Sequence, residues 1–264
     1  MPLHNRIAIV LALIALAFLA ANTLVWPAHD VKLGGLSFTL SGNQLLGLIA
    51  IGLAWAGADA VMRSHPSVRH GQLRHPFLRC MLPAAVTAAA WVLLARLPAL
   101  ENRVLGIAAT AGAVAVLIFA EYLAVAPAAA GRGALVLMLQ FATYSAAALL
   151  YGATYLALPD VNAVRAATAV SAFLALRLLG DDELPLPRIL WASAGIGLLL
   201  GATSWLLRPR TASTLTYSLT LLVFLYVLAG LARQFLRGKL RREVVLEYSL
   251  VGLAALLLLF FFSK

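Results

Sequence analysis

The chain has 264 residues, of which 63% are hydrophobic and only 11% charged, with a mean hydropathy of +0.95. A soluble globular domain carries roughly 45–50% apolar and about 25% charged residues, so this composition excludes one whose main solvent is water. The formal charge of +10 does not point to nucleic acid, because the basic residues gather in two loops beside apolar runs, and the lone Cys80 excludes an internal disulfide.

Nine apolar runs follow in chain order: Arg6 to Val25, Asn43 to Met62, Phe77 to Ala95, Val104 to Val125, Ala134 to Leu158, Asn162 to Leu179, Ile189 to Leu207, Thr214 to Ala232 and Val244 to Phe262. A transmembrane helix takes roughly 20 residues, so nine spans leave only short connections. The expected architecture is an all-α polytopic membrane protein, a single transmembrane domain over residues 1–264. The first run resembles a signal peptide in its His4, Arg6, Ala20 and Ala21, but its apolar reach to Val25 favours an anchor.

After the first run, residues 30–41 read D-V-K-L-G-G-L-S-F-T-L-S, with apolar and polar residues alternating on both sides of Gly34-Gly35. This pattern predicts a short β-hairpin in the first outer loop, pairing Leu33 with Leu36 and Val31 with Phe38. A hairpin there suits an interfacial plug over helix ends, and less well a lid.

Basic residues in alternate connections set the orientation. A cytoplasmic N-terminus gathers most arginines inside, in the loops at about residues 63–79 and 233–243. Arg63, Arg69, Arg74, Arg237, Arg241 and Arg242 are therefore the candidates for contact with lipid headgroups, at roughly 1 kcal/mol per basic residue near an anionic surface. Arginine outnumbers lysine 17 to 3 and Ala and Leu dominate, as in proteins of GC-rich bacterial genomes. The expected location is a bacterial inner membrane, with the lipid bilayer and other membrane subunits as the expected partners and no nucleic acid.

Four ionisable residues fall inside the runs, about one turn from the cytoplasmic boundary: Asp59, Glu121, Arg177 and Glu247. Charges at such depth are costly and face protein or a wet cavity. They form a candidate intramembrane cluster, as an ion site or as a structural network; Asp59 stands four residues before Arg63, the favourable order for a helical ion pair. In the fifth run, Gln140, Tyr144, Tyr151 and Tyr155 fall on one helical face, with Thr143 and Thr154 beside them. A shorter stripe in the eighth run holds Ser213, Thr216, Tyr217 and Thr220. Hydrogen bonds between helices explain both stripes without a ligand; the alternative is a polar cavity between these two spans. In the seventh run, Ser193, Gly197 and Gly201 recur every four residues and make a ridge that a neighbouring backbone can approach.

His65, His70 and His75 recur at intervals of five among prolines, a spacing that does not suit a metal site, and all five histidines lie outside the spans, which removes paired-histidine haem ligation. No P-loop, G-x-S-x-G or H-E-x-x-H occurs. Asp181-Asp182-Glu183 reads as a solvated turn. No cofactor, metal or catalytic residue is expected. The favoured function is a non-enzymatic scaffold or accessory membrane subunit. A small ion-coupled carrier using Asp59, Glu121 and Glu247 stands second, and an enzyme acting on a lipid-linked substrate through Asp181 to Glu183 stands third.

Overall fold

The computed structural model describes residues 3–23, 29–33, 36–70, 73–125, 132–158, 160–180, 184–208 and 213–262. Among these the chain forms ten α-helices: α1 (Leu3–Thr23), α2 (Gly42–Met62), α3 (Pro66–Arg69), α4 (Met81–Leu94), α5 (Leu100–Val125), α6 (Arg132–Ala157), α7 (Asp160–Leu179), α8 (Leu186–Leu207), α9 (Thr214–Leu236) and α10 (Arg242–Phe262). A 3-10 turn at Pro76–Cys80 leads directly into α4. Strands β1 (His29–Leu33) and β2 (Leu36–Leu40) pair antiparallel, with Val31 opposite Phe38 and Leu33 opposite Leu36. Gly34 and Gly35 themselves lie outside the described residues.

Eight helical segments among the described residues are long and apolar enough to cross a membrane: α1, α2, the Pro76–Leu94 segment, α5, α6, α7, α8 and α9. The ninth apolar run falls on α10, which opens with Arg242, Glu243 and Glu247 and is not one of the eight. Large apolar side chains point outward along these segments, Trp191 at 80% exposure and Leu105 at 68% among them, while Thr87, Ser171 and Ser204 are fully enclosed. A soluble protein has the reverse arrangement; lipid outside and small or hydroxylated side chains between helices is the membrane arrangement. The chain is a multi-pass membrane protein with a helical fold.

Two compact units divide the chain. The first comprises Met1–Gln72 and Leu82–Val136, the second Leu73–Met81 and Leu137–Lys264. In the first, α1 packs along α2 and α5, and α2 also touches α5. Gly47 leaves room for the Trp91 ring and Gly57 for Val10, so a large side chain fills each notch. Helix α2 starts with a capping box: the Ser41 hydroxyl accepts from the Gln44 amide N–H, and the Gln44 side chain accepts from the Ser41 N–H. Two of the four orphan donors at that end are thereby satisfied.

In the second unit, α7 and α8 lie against each other along much of their length, and α9 packs on α7, α8 and α10. The chain leaves α9 through Gly238, whose φ of 65° lies in the left-handed region that favours glycine. Its N–H donates to Phe235 O, and the Lys239 N–H donates to Gln234 O. These two bonds are the Schellman pattern. They stop α9 and reverse the chain, and α10 then runs back along α9.

Candidate functional site

In the first unit, the Arg63 Nε donates to Asp59 Oδ2 at 2.6 Å, with the arginine side chain largely exposed. The other carboxylate oxygen, Oδ1, is buried and finds no hydrogen-bond partner among the described residues. Glu121 on α5 is 1% exposed. Arg177 and Glu247 belong to the second unit: Arg177 sits half-buried in the last turn of α7, and Glu247 is exposed on α10. Each unit thus holds two of these four charged residues.

Histidines of the basic loop have local duties. His65 caps α3 by accepting the Ser67 N–H at Nδ1, and its ring meets Tyr122 edge-on at 4.6 Å. His75 hydrogen-bonds the Leu184 carbonyl through Nε2 at 3.3 Å. Arg63, Arg69, Arg74, Arg237, Arg241 and Arg242 are all exposed. Asp181, Asp182 and Glu183 lie outside the described residues.

The polar stripe of α6 divides into two parts within the second unit. Towards the C-terminal end of the helix, Tyr151 is fully buried and its hydroxyl lies 2.8 Å from Ser171 Oγ on α7. Ser171 gives its single proton to Ala167 O at 2.6 Å, so it accepts and Tyr151 donates. Tyr217 on α9 is equally buried and bonds Ser204 Oγ on α8 at 2.6 Å. Tyr155 lies against Tyr217 with ring centroids 4.9 Å apart, and the Arg208 guanidinium is 5.2 Å from the Tyr155 centroid. Arg208 also donates to the carbonyls of Thr154, Tyr155 and Leu158. Those carbonyls belong to the end of α6, where the helix has no internal donors left.

Threonines along both stripes turn inward to their own helix: Thr143 donates to Leu139 O, Thr154 to Tyr151 O and Thr220 to Thr216 O. Gln140 is half-buried on α6, and Thr216 supplies its N–H to the Ser213 cap as well as its carbonyl to Thr220. Hydroxyls bonded in this way need neither water nor ligand.

Around Tyr144 the arrangement differs. Its ring meets Tyr226 of α9 edge-on at 5.9 Å, and Tyr226 in turn meets Tyr248 of α10 at 5.6 Å. Tyr248 lies where any side chain at Gly230 would have to go, and Val227 leans to 2.8 Å from the Cβ position of Gly252. Beside this ladder Tyr144, Leu222, Val223, Tyr226, Val251, Gly252 and Ala255 line a cavity of about 210 Å³ whose surface atoms are all apolar. Arg233, two turns along α9 from Tyr226 and on the same face, stands within electrostatic range of the Tyr144 and Tyr248 hydroxyls. Its Nε is buried and makes no hydrogen bond among the described residues.

Tyr226, Tyr248 and Arg208 were not singled out by sequence, and Arg233 entered only as the start of the basic loop at about residues 233–243. The readable signal for the ladder is that Tyr226 and Arg233 are seven residues apart, while Tyr248, Val251, Gly252 and Ala255 form one helical stripe.

A family profile described as a protein of unknown function, DUF5656, matches residues 26–262. The chain belongs to the DUF5656 family. No curated protein and no solved structure matches it. The DUF5656 match takes in the β-ribbon and every helix from α2 to α10, so the tyrosine ladder and Asp59, Glu121, Arg177 and Glu247 fall within the family's extent.

Proposed function

We propose that this DUF5656 protein is a non-enzymatic scaffold or accessory subunit of a bacterial inner membrane, with α10 as a ninth span and the N-terminus in the cytoplasm. One observation carries the reading. The buried hydroxyls of the second unit are committed to one another or to helix carbonyls, as at Tyr151–Ser171, Ser204–Tyr217 and Thr143. A substrate path needs polar groups free to exchange partners, and a bundle that closes its own hydrogen bonds is suited to holding a shape that others bind. Orientation follows from the arginine-rich connections, which then meet anionic headgroups through Arg63, Arg69, Arg74, Arg237, Arg241 and Arg242.

A photocrosslinker placed at Trp191 or Phe141, both outward-facing, tests the reading in intact membranes of cells expressing the full chain. The expected product is a discrete adduct with one membrane polypeptide from at least one of these sites, lost when the partner's gene is deleted. Lipid adducts alone, from these sites and from Leu105, Leu198 and Leu250 as well, refute it.

The carrier reading is favoured by Glu121, an acid enclosed within a span. It requires ion uptake into vesicles holding the purified chain, and it fails if Glu121→Gln with Asp59→Asn and Glu247→Gln leaves that uptake unchanged.

A further inference from the structure

The corner of the second unit formed by α6, α9 and α10 combines three features: an apolar cavity, an aromatic ladder at its edge and a cation whose Nε is buried without a hydrogen bond among the described residues. We infer that this corner binds one anionic phospholipid, with an acyl chain in the cavity between α6, α9 and α10 and the phosphate at Arg233. The inference is independent of whether the chain has a protein partner.

Size argues for a chain segment rather than a compact ligand. Sites for drug-sized molecules run from about 300 to about 1,000 Å³, and this one is about 210 Å³ with only carbon on its walls. Length argues for a lipid. Arg233 and Leu222 are eleven residues apart on α9, which at 1.5 Å per residue is about 16 Å. Half of a hydrocarbon core about 30 Å thick is about 15 Å. A phosphate held at Arg233 therefore places an acyl chain of its own leaflet against Tyr226, Val223 and Leu222.

Charge selects the headgroup. Arg233 is followed by Arg237, Lys239, Arg241 and Arg242 around the turn at Gly238, against which stand Glu243 and Glu247. Five cations and two anions favour a lipid of net negative charge over a zwitterionic one. The Arg233 guanidinium supplies the specific contact, since guanidinium pairs with phosphate through charge-assisted hydrogen bonds and its Nε stands buried with no acceptor among the described residues. Tyr144 and Tyr226 line the cavity, and Tyr248 packs against Tyr226; such rings, apolar in body and polar at the tip, suit a lipid's glycerol region.

The full chain, purified in mild detergent, is examined by native mass spectrometry with phosphatidylglycerol and phosphatidylcholine of identical acyl chains. Phosphatidylglycerol is expected to stay bound about tenfold more than phosphatidylcholine, and both Arg233→Gln and Ala255→Phe to reduce it about tenfold. The combined variant Arg237→Gln, Arg241→Gln, Arg242→Gln is expected to reduce it by about threefold, less than Arg233→Gln alone, because exposed cations contribute little each. Equal retention of the two lipids, or loss in the triple variant with retention in Arg233→Gln, overturns the inference in favour of surface adsorption. A second measurement needs no variant. Phosphatidylglycerol carrying a photoactivatable acyl chain should label Leu222, Val223, Val251 or Ala255, and labelling confined to other outward residues overturns the groove.

Discussion

Replacing Gly197 with alanine tests whether α7 and α8 meet backbone to backbone. A Cβ at position 197 would stand 2.7 Å from Ala172 Cβ, 2.9 Å from Thr168 O and 3.2 Å from Ala172 Cα. None of these is the tip of a flexible side chain, so relief requires one helix to move. Gly195, on the same helix, has nothing within 4 Å of its Cβ position and serves as the control. In a helix interior, glycine to alanine gains up to about 1 kcal/mol from backbone entropy and propensity, and overpacking a close contact costs roughly 1–3 kcal/mol. Gly195→Ala should therefore be neutral or stabilising by up to about 1 kcal/mol, while Gly197→Ala destabilises by about 1–2 kcal/mol net. The assay is reversible unfolding of the purified protein in mixed micelles at increasing denaturing-detergent fraction, read by circular dichroism. Equal midpoints for the two variants would refute the packing argument, because both share the propensity gain and only one meets a wall.

Two further substitutions probe the hydrogen bonds. Ser171→Ala should cost more than Tyr151→Phe in the same unfolding assay, by about 1 kcal/mol: the first leaves a buried phenol without its acceptor, whereas the second leaves Ser171 still donating to Ala167 O. The double variant should fall near or above Ser171→Ala in stability, and strict additivity of the two losses would contradict the pairing. Arg208→Ala should release the carbonyls of Thr154, Tyr155 and Leu158 and destabilise by about 1–3 kcal/mol. Hydrogen exchange at the last turn of α6 should accelerate while exchange at the middle of α6 does not.

Hydropathy makes the spans legible because hydrocarbon demands a continuous apolar run and a self-satisfied backbone. The first eight runs fall on segments that qualify as spans among the described residues; the ninth falls on α10, whose charges Arg242, Glu243 and Glu247 are concentrated at one end. The ridge Ser193, Gly197 and Gly201 was also legible, but its partner was not. Thr168 and Ala172 on α7 receive it, and α7 is one of several alanine-rich helices that present small residues at similar spacing. Tyr144 and Tyr151 look alike on a helical wheel, yet one joins an aromatic ladder and the other a hydroxyl pair. That difference depends on which helix faces each, a long-range fact that periodicity does not carry. Arg208 is ordinary in sequence, a basic residue just past a span; its duty at the end of α6 exists only once α8 and α6 are neighbours.

The glycines of the second unit explain why the apolar cavity lies beside α9 and α10 rather than between α7 and α8. At Gly197 the missing side chain lets two backbones close on each other, and the seam has no volume left. At Gly230 and Gly252 the missing side chain is replaced by a neighbour's, the Tyr248 ring in one case and Val227 in the other. A ring laid across a helix holds the next helix away from the surface beyond its edge, and the space past Tyr226 and Tyr144 stays unfilled. In water such a void between apolar walls forfeits dispersion contacts outright. In a membrane an acyl chain can enter it from the side, so α9 can keep an open groove at the level where α7 and α8 must close.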